Sequence, residues 1–341
     1  MTITGFLEQL LNGQHLSAQE MRQLMLSCMR GELADVQIGA FLALMRMKGE
    51  TVEELSAAAQ VMLELAHTID LGKQLIDIVG TGGDGKNTFN VSTVSSIVVA
   101  AAGVKVAKHG NRSVSGRSGS ADLLEQAGIK LHLSDKDFAE CMHRFGLCFL
   151  FAPHFHPAMK QVQKARRELH LRSFFNLLGP LINPAKVTRQ VVGVYDPHWQ
   201  RPIAEVLAKM GSERALVLTA LDGMDEISIA APTDVIEYNQ GEFKQWRIDP
   251  HDYDCFHGNI DSIVVNSPEE SLHLINKVLH AETGAARDIV LLNSAAAIYC
   301  AGLSHDFAQA IIIAATAIDS GASLMLFNQL RDFTQQTSRS V

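Results

Sequence analysis

Leu75-Ile-Asp-Ile-Val-Gly-Thr-Gly-Gly-Asp-Gly85, with Asn90-Val-Ser-Thr93 five residues further on, is the stretch that decides the fold. Residues 75–79 form a short β-branched run that stops at a glycine cluster, which predicts a buried strand ending in a loop. A helical stretch over 91–102 follows, and 104–107 is the next short strand, again ending in a polar, glycine-bearing loop. Further strands are expected at 191–194 and 215–221, with a helix over 202–210 between them. Short buried strands alternating with helices predict an α/β fold: a mostly parallel central sheet flanked by helices. Residues 237–247 contain Tyr-Asn-Gln-Gly and read as a hairpin at an antiparallel edge. The tail, 270–336, returns to helices rich in alanine and isoleucine.

Upstream of this region the pattern is helical only. Phe6, Leu7, Leu10 and Leu11 share one helical face, as do Met21, Leu24, Met25 and Cys28. Ser17-Ala-Gln-Glu20 and Thr51-Val-Glu-Glu54 have the spacing of capping boxes. Val36, Phe41, Leu42, Leu44, Met45 and Met47 make a third helix apolar over much of its circumference. So small a unit cannot bury that surface internally; it must pack on another domain or another subunit, and a subunit interface is the favoured cover. The expected division is a small all-helical N-terminal domain, 1–70, joined by helices around 160–190, and an α/β domain over 71–341.

The bulk numbers agree with a packed globular chain. Of 341 residues, 47% are hydrophobic and 19% charged, with 29 basic against 37 acidic side chains and a formal net charge of −8. A nucleic-acid surface normally shows a basic excess, so any anion site must be a local concentration of donors. Cys28, Cys141, Cys148, Cys255 and Cys300 are odd in number, scattered and without a Cys-x-x-Cys pair, which suits buried thiols in a reducing compartment. The N-terminus lacks the basic cluster of a signal peptide, and the longest apolar run, around 310–318, falls short of the roughly 20 residues a bilayer span needs. A cytoplasmic protein without a membrane partner is expected.

Four segments carry chemistry. In Val79-Gly-Thr-Gly-Gly-Asp-Gly85, glycines let backbone N–H groups approach an anion, and 90–93 opens a helix whose free N–H groups and dipole favour negative charge. No Gly-Lys-Ser/Thr closes the loop as a Walker motif would require, since Asn87 follows Gly85-Lys86. Residues 105–121 contain no acid but hold Lys105, Lys108, Arg112 and Arg117 among serines and glycines, an expected anion surface at a strand end. Leu221-Asp-Gly-Met-Asp-Glu-Ile-Ser228 places Asp222, Asp225 and Glu226 together, which suits a hard divalent cation. Arg166 and Arg167 diverge by about 100° on a helix, so one can face a cavity and recognise a carboxylate while the other cannot. Phe151-Ala-Pro-His-Phe-His-Pro157 offers apolar walls and imidazoles.

Gly80-Thr-Gly-Gly-Asp84, Asn90-Val-Ser-Thr93, Lys108-His-Gly-Asn-Arg112, Asp225-Glu226, Arg166-Arg-Glu168 and Asn176-Leu-Leu-Gly-Pro180 together resemble the anthranilate phosphoribosyltransferase family across essentially the whole chain. The resemblance implies a nucleoside phosphorylase/phosphoribosyltransferase-like architecture and a glycosyltransferase using phosphoribosyl pyrophosphate (PRPP) and magnesium. It matches Gly80, Thr81, Gly82, Gly83, Asp84, Thr88, Asn90, Ser92, Thr93, Lys108 and Ser120 to PRPP contacts. Gly80, His109, Asn111 and Arg166 match positions near anthranilate, and Ser92, Asp225 and Glu226 match positions holding metal, two ions per site. No general base is implied. Ser113, Gly116 and Arg117 fall at positions of ordinary variation. A homodimer through the N-terminal helices, without a nucleic-acid partner, completes the expectation. The nearest alternative, a pyrimidine-nucleoside phosphorylase, would bind phosphate and a nucleoside and would not require the Asp225-Glu226 pair.

Overall fold

The structure, a computed structural model, describes residues 2–112 and 117–337. Four helices come first: α1 (Ile3–Leu11), α2 (Ala18–Met29), α3 (Asp35–Lys48) and α4 (Val52–Glu64). Both capping boxes form, Ser17 with Glu20 and Thr51 with Glu54. Glu54 does more than cap: its fully buried carboxylate also accepts from the Leu16 N–H at 2.8 Å and pairs with Lys48 Nζ at 2.8 Å.

The chain then alternates. It runs β1 (Ile76–Gly80), α5 (Val91–Ala101), β2 (Val106–Gly110), α6 (Ser120–Gln126), α7 (Asp135–Phe145), β3 (Leu147–Phe151), α8 (Ala152–Phe155), α9 (Lys160–Leu169), α10 (Phe175–Leu178) and β4 (Arg189–Gly193). After these come α11 (Gln200–Lys209), β5 (Arg214–Ala220), β6 (Thr233–Asn239), β7 (Glu242–Ile248), α12 (Pro268–Leu279), α13 (Ala285–Ala301), α14 (Phe307–Asp319) and α15 (Ala322–Thr337). The seven strands form one sheet in the order β3-β2-β1-β4-β5-β6-β7. The first five are parallel, and β6 and β7 add the antiparallel edge expected of the 237–247 hairpin. Strand β3 is absent from the sequence expectations, because Leu147-Cys-Phe-Leu-Phe151 is apolar throughout and has no alternation to set it apart from a helix end.

The period of two along the strands divides the interior into two cores. Val191, Leu216, Leu218 and Val235 point into one, built with α5, α6, α7 and α12–α15. Val192, Ala215, Val217 and Ile236 point into the other, which they share with α1–α4 and α9–α11. The apolar third helix is therefore covered mainly within the chain and not by a subunit: Phe41, Leu42 and Met45 are fully buried, and Phe41 packs edge-on against Phe174 at 5.5 Å. Val36 and Met47 remain exposed at 77% and 67%. All five cysteines are buried and free.

Candidate functional site

The strand order reverses between β1 and β4, since β2 lies on one side of β1 and β5 on the far side of β4. An open parallel sheet places its crevice at such a switch point, outside the carboxyl ends of the strands. Gly80 and Gly193 are the last residues of β1 and β4 and are paired in register. The loop after β5 enters between them. A Cβ on Gly193 would lie 1.5 Å from the Asp225 carbonyl oxygen, and one on Gly80 would lie 2.3 Å from Asp225 Oδ2. These glycines form a notch that admits the Asp225 backbone and carboxylate.

Around the notch the structure gathers most of the expected residues. The Gly82 N–H donates to Asp225 Oδ2 at 2.6 Å, and the Ser92 N–H, at the start of α5, donates to Glu226 Oε1 at 3.0 Å. Lys108, buried on β2, donates to the Ile78 carbonyl at 2.5 Å and to Ser92 Oγ at 3.2 Å. Asn90 ties three segments together: it exchanges hydrogen bonds with Ser118 and accepts from Ser271 at 2.8 Å. Thr88 is held by a bridge to Val264. Ser120 donates to the Asn111 carbonyl at 3.1 Å, closing the exposed Asn111 against the opening of α6. Thr81 and Thr93 sit deeper, their hydroxyls buried without a partner among the described residues.

Electrostatics follow from this packing. Burial and the neighbouring Asp84 push the Asp225 carboxyl up to about 7. Burial, Asp225 and Asp84 raise Glu226 well above the ordinary range, and Glu226 Oε2 is buried without a hydrogen-bond partner among the described residues. Crowded carboxylates with an orphaned oxygen fit a hard divalent cation, which takes oxygen ligands and shares them with phosphates. The third acid is Asp84 and not Asp222. Asp222 is turned away, accepting from Ser228 Oγ at 2.7 Å and from the Met224 N–H at 3.2 Å. Beneath the site, burial lifts Asp77 to about 6 against the opposing pull of Lys108; it accepts from the His109 N–H and from Asn183 Nδ2.

The basic loop is less of an anion surface than its composition suggests. Arg112 makes a two-pronged pair with Glu125 at 2.6 and 2.7 Å and also reaches Asp122 at 3.1 Å. Lys105 precedes β2, at the end of the sheet opposite the crevice, and its carbonyl pairs with the Ile76 N–H. That leaves Lys108 and the exposed Arg117; Ser113 and Gly116 lie outside the described residues. Arg172, which the sequence reading passes over, compensates: it donates to the Gly82 carbonyl at 2.7 Å, lies over the Tyr195 ring at 4.6 Å, and fills the space a side chain on Gly83 would need.

On the far side of β2, His109 Nδ1 meets the Gly179 carbonyl at 3.1 Å, so that nitrogen carries the proton and Nε2 is bare. His109 packs edge-on to His156 at 5.2 Å, and burial pushes the two imidazoles down to about 3 and about 4. Both stay neutral. Arg166 is half-buried with its guanidinium 5.2 Å from the centre of the Phe175 ring, and among the described residues no acid pairs with it. Arg167 is exposed, so of the two adjacent arginines Arg166 is the one turned inward.

Known proteins resemble the chain in both of its parts. The description "Glycosyl transferase family, helical bundle domain" matches residues 4–66, and "Glycosyl transferase family, a/b domain" matches residues 72–324. An anthranilate phosphoribosyltransferase from Legionella pneumophila (strain Paris) is 63% identical over 332 residues, covering 97% of this chain and 96% of its own. The chain belongs to the anthranilate phosphoribosyltransferase family. Another family member, from Acinetobacter baumannii (strain SDF), is 46% identical over 100% of this chain and 99% of its own. Among solved members, the enzyme from Thermus thermophilus superimposes with a TM-score of 0.90 at 36% identity, over 96% of this chain and 99% of that one. The Saccharomyces cerevisiae enzyme in complex with PRPP and Mg gives a TM-score of 0.89 at 25% identity, over 98% of both chains.

Proposed function

We propose that this chain transfers the 5-phosphoribosyl group of PRPP to the amine of anthranilate, with inversion at C1 of the ribose and release of pyrophosphate, as a step of tryptophan biosynthesis. The observation that carries the reading is the meeting of Asp84, Asp225 and Glu226 with the Gly80–Asp84 loop and Lys108 at the switch point of the sheet. The Gly80, Thr81, Gly82, Gly83 and Asp84 loop, with Thr88, Asn90, Ser92, Thr93 and Ser120, binds the phosphates and ribose. Lys108 supplies the buried positive charge. Ser92, Asp225 and Glu226 hold magnesium, two ions per site, with Asp84 beside them. Magnesium held there would supply charge neutralisation for the departing pyrophosphate.

The aromatic amine of anthranilate is neutral at pH 7, so no strong base has to deprotonate it before attack. The chain's own contribution is position, worth several kcal/mol when reacting atoms are held in line. Arg166 takes the anthranilate carboxylate, with Asn111 and the Gly80 backbone alongside. His109, near the anthranilate position, is too weakly basic to remove a proton from the amine. Homodimerisation through the N-terminal helices is proposed from the exposed Val36 and Met47 on α3 and Leu11 at the end of α1. A cytoplasmic setting is proposed from the five free thiols. Among the described residues, no single helix is long and apolar enough to cross a membrane.

The test mixes enzyme, PRPP, magnesium and anthranilate and follows loss of anthranilate fluorescence. Magnesium-dependent loss with release of pyrophosphate is expected. No loss, together with phosphorolysis of thymidine or uridine, would replace this reading by that of a nucleoside phosphorylase.

A further inference from the structure

Away from the crevice, the segment between α4 and β1 brings His67 against the α/β domain. His67 Nε2 lies 2.9 and 3.1 Å from the two oxygens of Asp135, the first residue of α7. His154, in the short helix after β3, stands beside them: the His67 and His154 rings are 6.0 Å apart and nearly perpendicular. One ligand atom from each of His67, Asp135 and His154 lies within 4.8 Å of the other two. His132 borders the group, its ring 6.3 Å from that of His154.

We propose that His67, Asp135 and His154 form a binding site for a first-row transition-metal dication such as zinc, separate from the magnesium cluster, with His132 or water as the fourth ligand. Two imidazoles and one carboxylate are the donor set of three-ligand zinc sites, and imidazole nitrogen disfavours magnesium. Besides the His67–Asp135 contact, the two halves of the site are held by backbone and ring packing. The His67 N–H donates to the Phe155 carbonyl at 2.8 Å, which fixes the linker to α8. Phe155 then lies flat against the His67 ring at 5.8 Å and edge-on to His154 at 4.8 Å. Among the described residues, neither His154 nor His132 spends a ring nitrogen on a hydrogen bond.

With metal–nitrogen distances of about 2.0–2.1 Å, tetrahedral ligand atoms lie about 3.4 Å apart. The widest gap, up to 4.8 Å, must therefore close by about 1.4 Å. The His67 and Asp135 side chains, 46% and 55% accessible, are the ones with room to turn. The competing interpretation is a plain His67–Asp135 hydrogen bond with His154 as a bystander.

Cobalt(II) titration of the full-length protein, in excess magnesium to occupy the carboxylate cluster, separates the two. The expected result is one equivalent taken up with the intense visible bands of a tetrahedral or five-coordinate ion, bleached by zinc. His154→Gln and, at an exposed position where folding is not at stake, Asp135→Asn should each weaken that uptake about 100-fold or more. Zinc should raise the melting temperature of the parent protein but not of either variant. Weak octahedral absorption only, or uptake unchanged in Asp135→Asn, would overturn the site.

Discussion

Replacing Gly193 by alanine is expected to stop turnover while leaving the chain folded. The new methyl group would begin 1.5 Å from the Asp225 carbonyl oxygen, whereas ordinary contact starts at 3.4 Å, so the two must separate by about 1.9 Å. Gly193 cannot supply the movement, because it is paired with Gly80 on one side and Leu218 on the other. The loop carrying Asp225 and Glu226 must move instead. It is held to the glycine loop through Gly82 at 2.6 Å and to α5 through Ser92 at 3.0 Å, so both carboxylates leave their positions. A misplacement of about 1 Å already costs roughly 100-fold in rate, so a loss of at least that size in kcat is expected. Overpacking of this kind costs about 1–3 kcal/mol of stability, a fall of some degrees in Tm. Stopped assays of anthranilate fluorescence at saturating PRPP and magnesium, beside circular-dichroism melts, measure the two effects separately. A kcat within about threefold of the parent protein, with an unchanged melt, would show that the notch does not fix the acidic loop.

Arg166→Ala should raise KM for anthranilate by about 10–100-fold, the worth of a charge-assisted hydrogen bond, and leave KM for PRPP nearly unchanged; equal effects on both would move the carboxylate contact elsewhere. Asp225→Asn should abolish turnover yet raise Tm in chelator, because the native carboxyl is pushed up to about 7 and its charge opposes folding. The sign is fixed: an acid raised on folding costs stability above its unfolded pKa, so the advantage of asparagine is largest above pH 7 and shrinks as pH falls through 7, and a constant advantage across that range would be inconsistent with it. His109 and His156 work in the opposite sense, since their imidazoles are held down to about 3 and about 4 while the unfolded chain takes up protons below about pH 6.5. Stability is therefore lost as pH falls from about 6.5 to about 3, and His156→Leu should flatten the part of the Tm–pH curve between about 6.5 and about 4; an unaltered slope would place the acid sensitivity elsewhere.

What the sequence made legible was whatever is encoded over a few neighbouring residues. The β1 run stopping at Gly80, the capping boxes at Ser17 and Thr51 and the Gln240-Gly241 hairpin turn each follow from local chemistry, and each forms. Boundaries drifted where two readings overlap: β2 runs Val106–Gly110, two residues later than its apolar stretch begins, because Lys108 and His109 are strand residues despite their polarity. Pairings across long separations were not legible. Nothing near Arg112 indicates that Glu125, one helix later, will neutralise it, and nothing near Asp222 distinguishes it from Asp225. Asp84 joins Asp225 only because the loop after β5 reaches across the end of β4 to that of β1 in the folded sheet. Arg172 could have been noticed as a cation within the same run as Arg166, but its partner is a backbone carbonyl, which leaves no mark in composition.

The division of the interior into two cores bears on how the chain comes apart. The second core draws on Phe6, Phe41 and Val61 from the N-terminal helices and equally on Val192, Val217 and Ile236 from the sheet. A chain beginning at residue 72 would leave those three sheet side chains, and the inner faces of α10 and α11, open to water. The helical segment alone would lose the wall it leans on. The two matched segments are thus units of inheritance but not units of folding: the sheet is a shared partition, and the protein should melt across it in one cooperative transition.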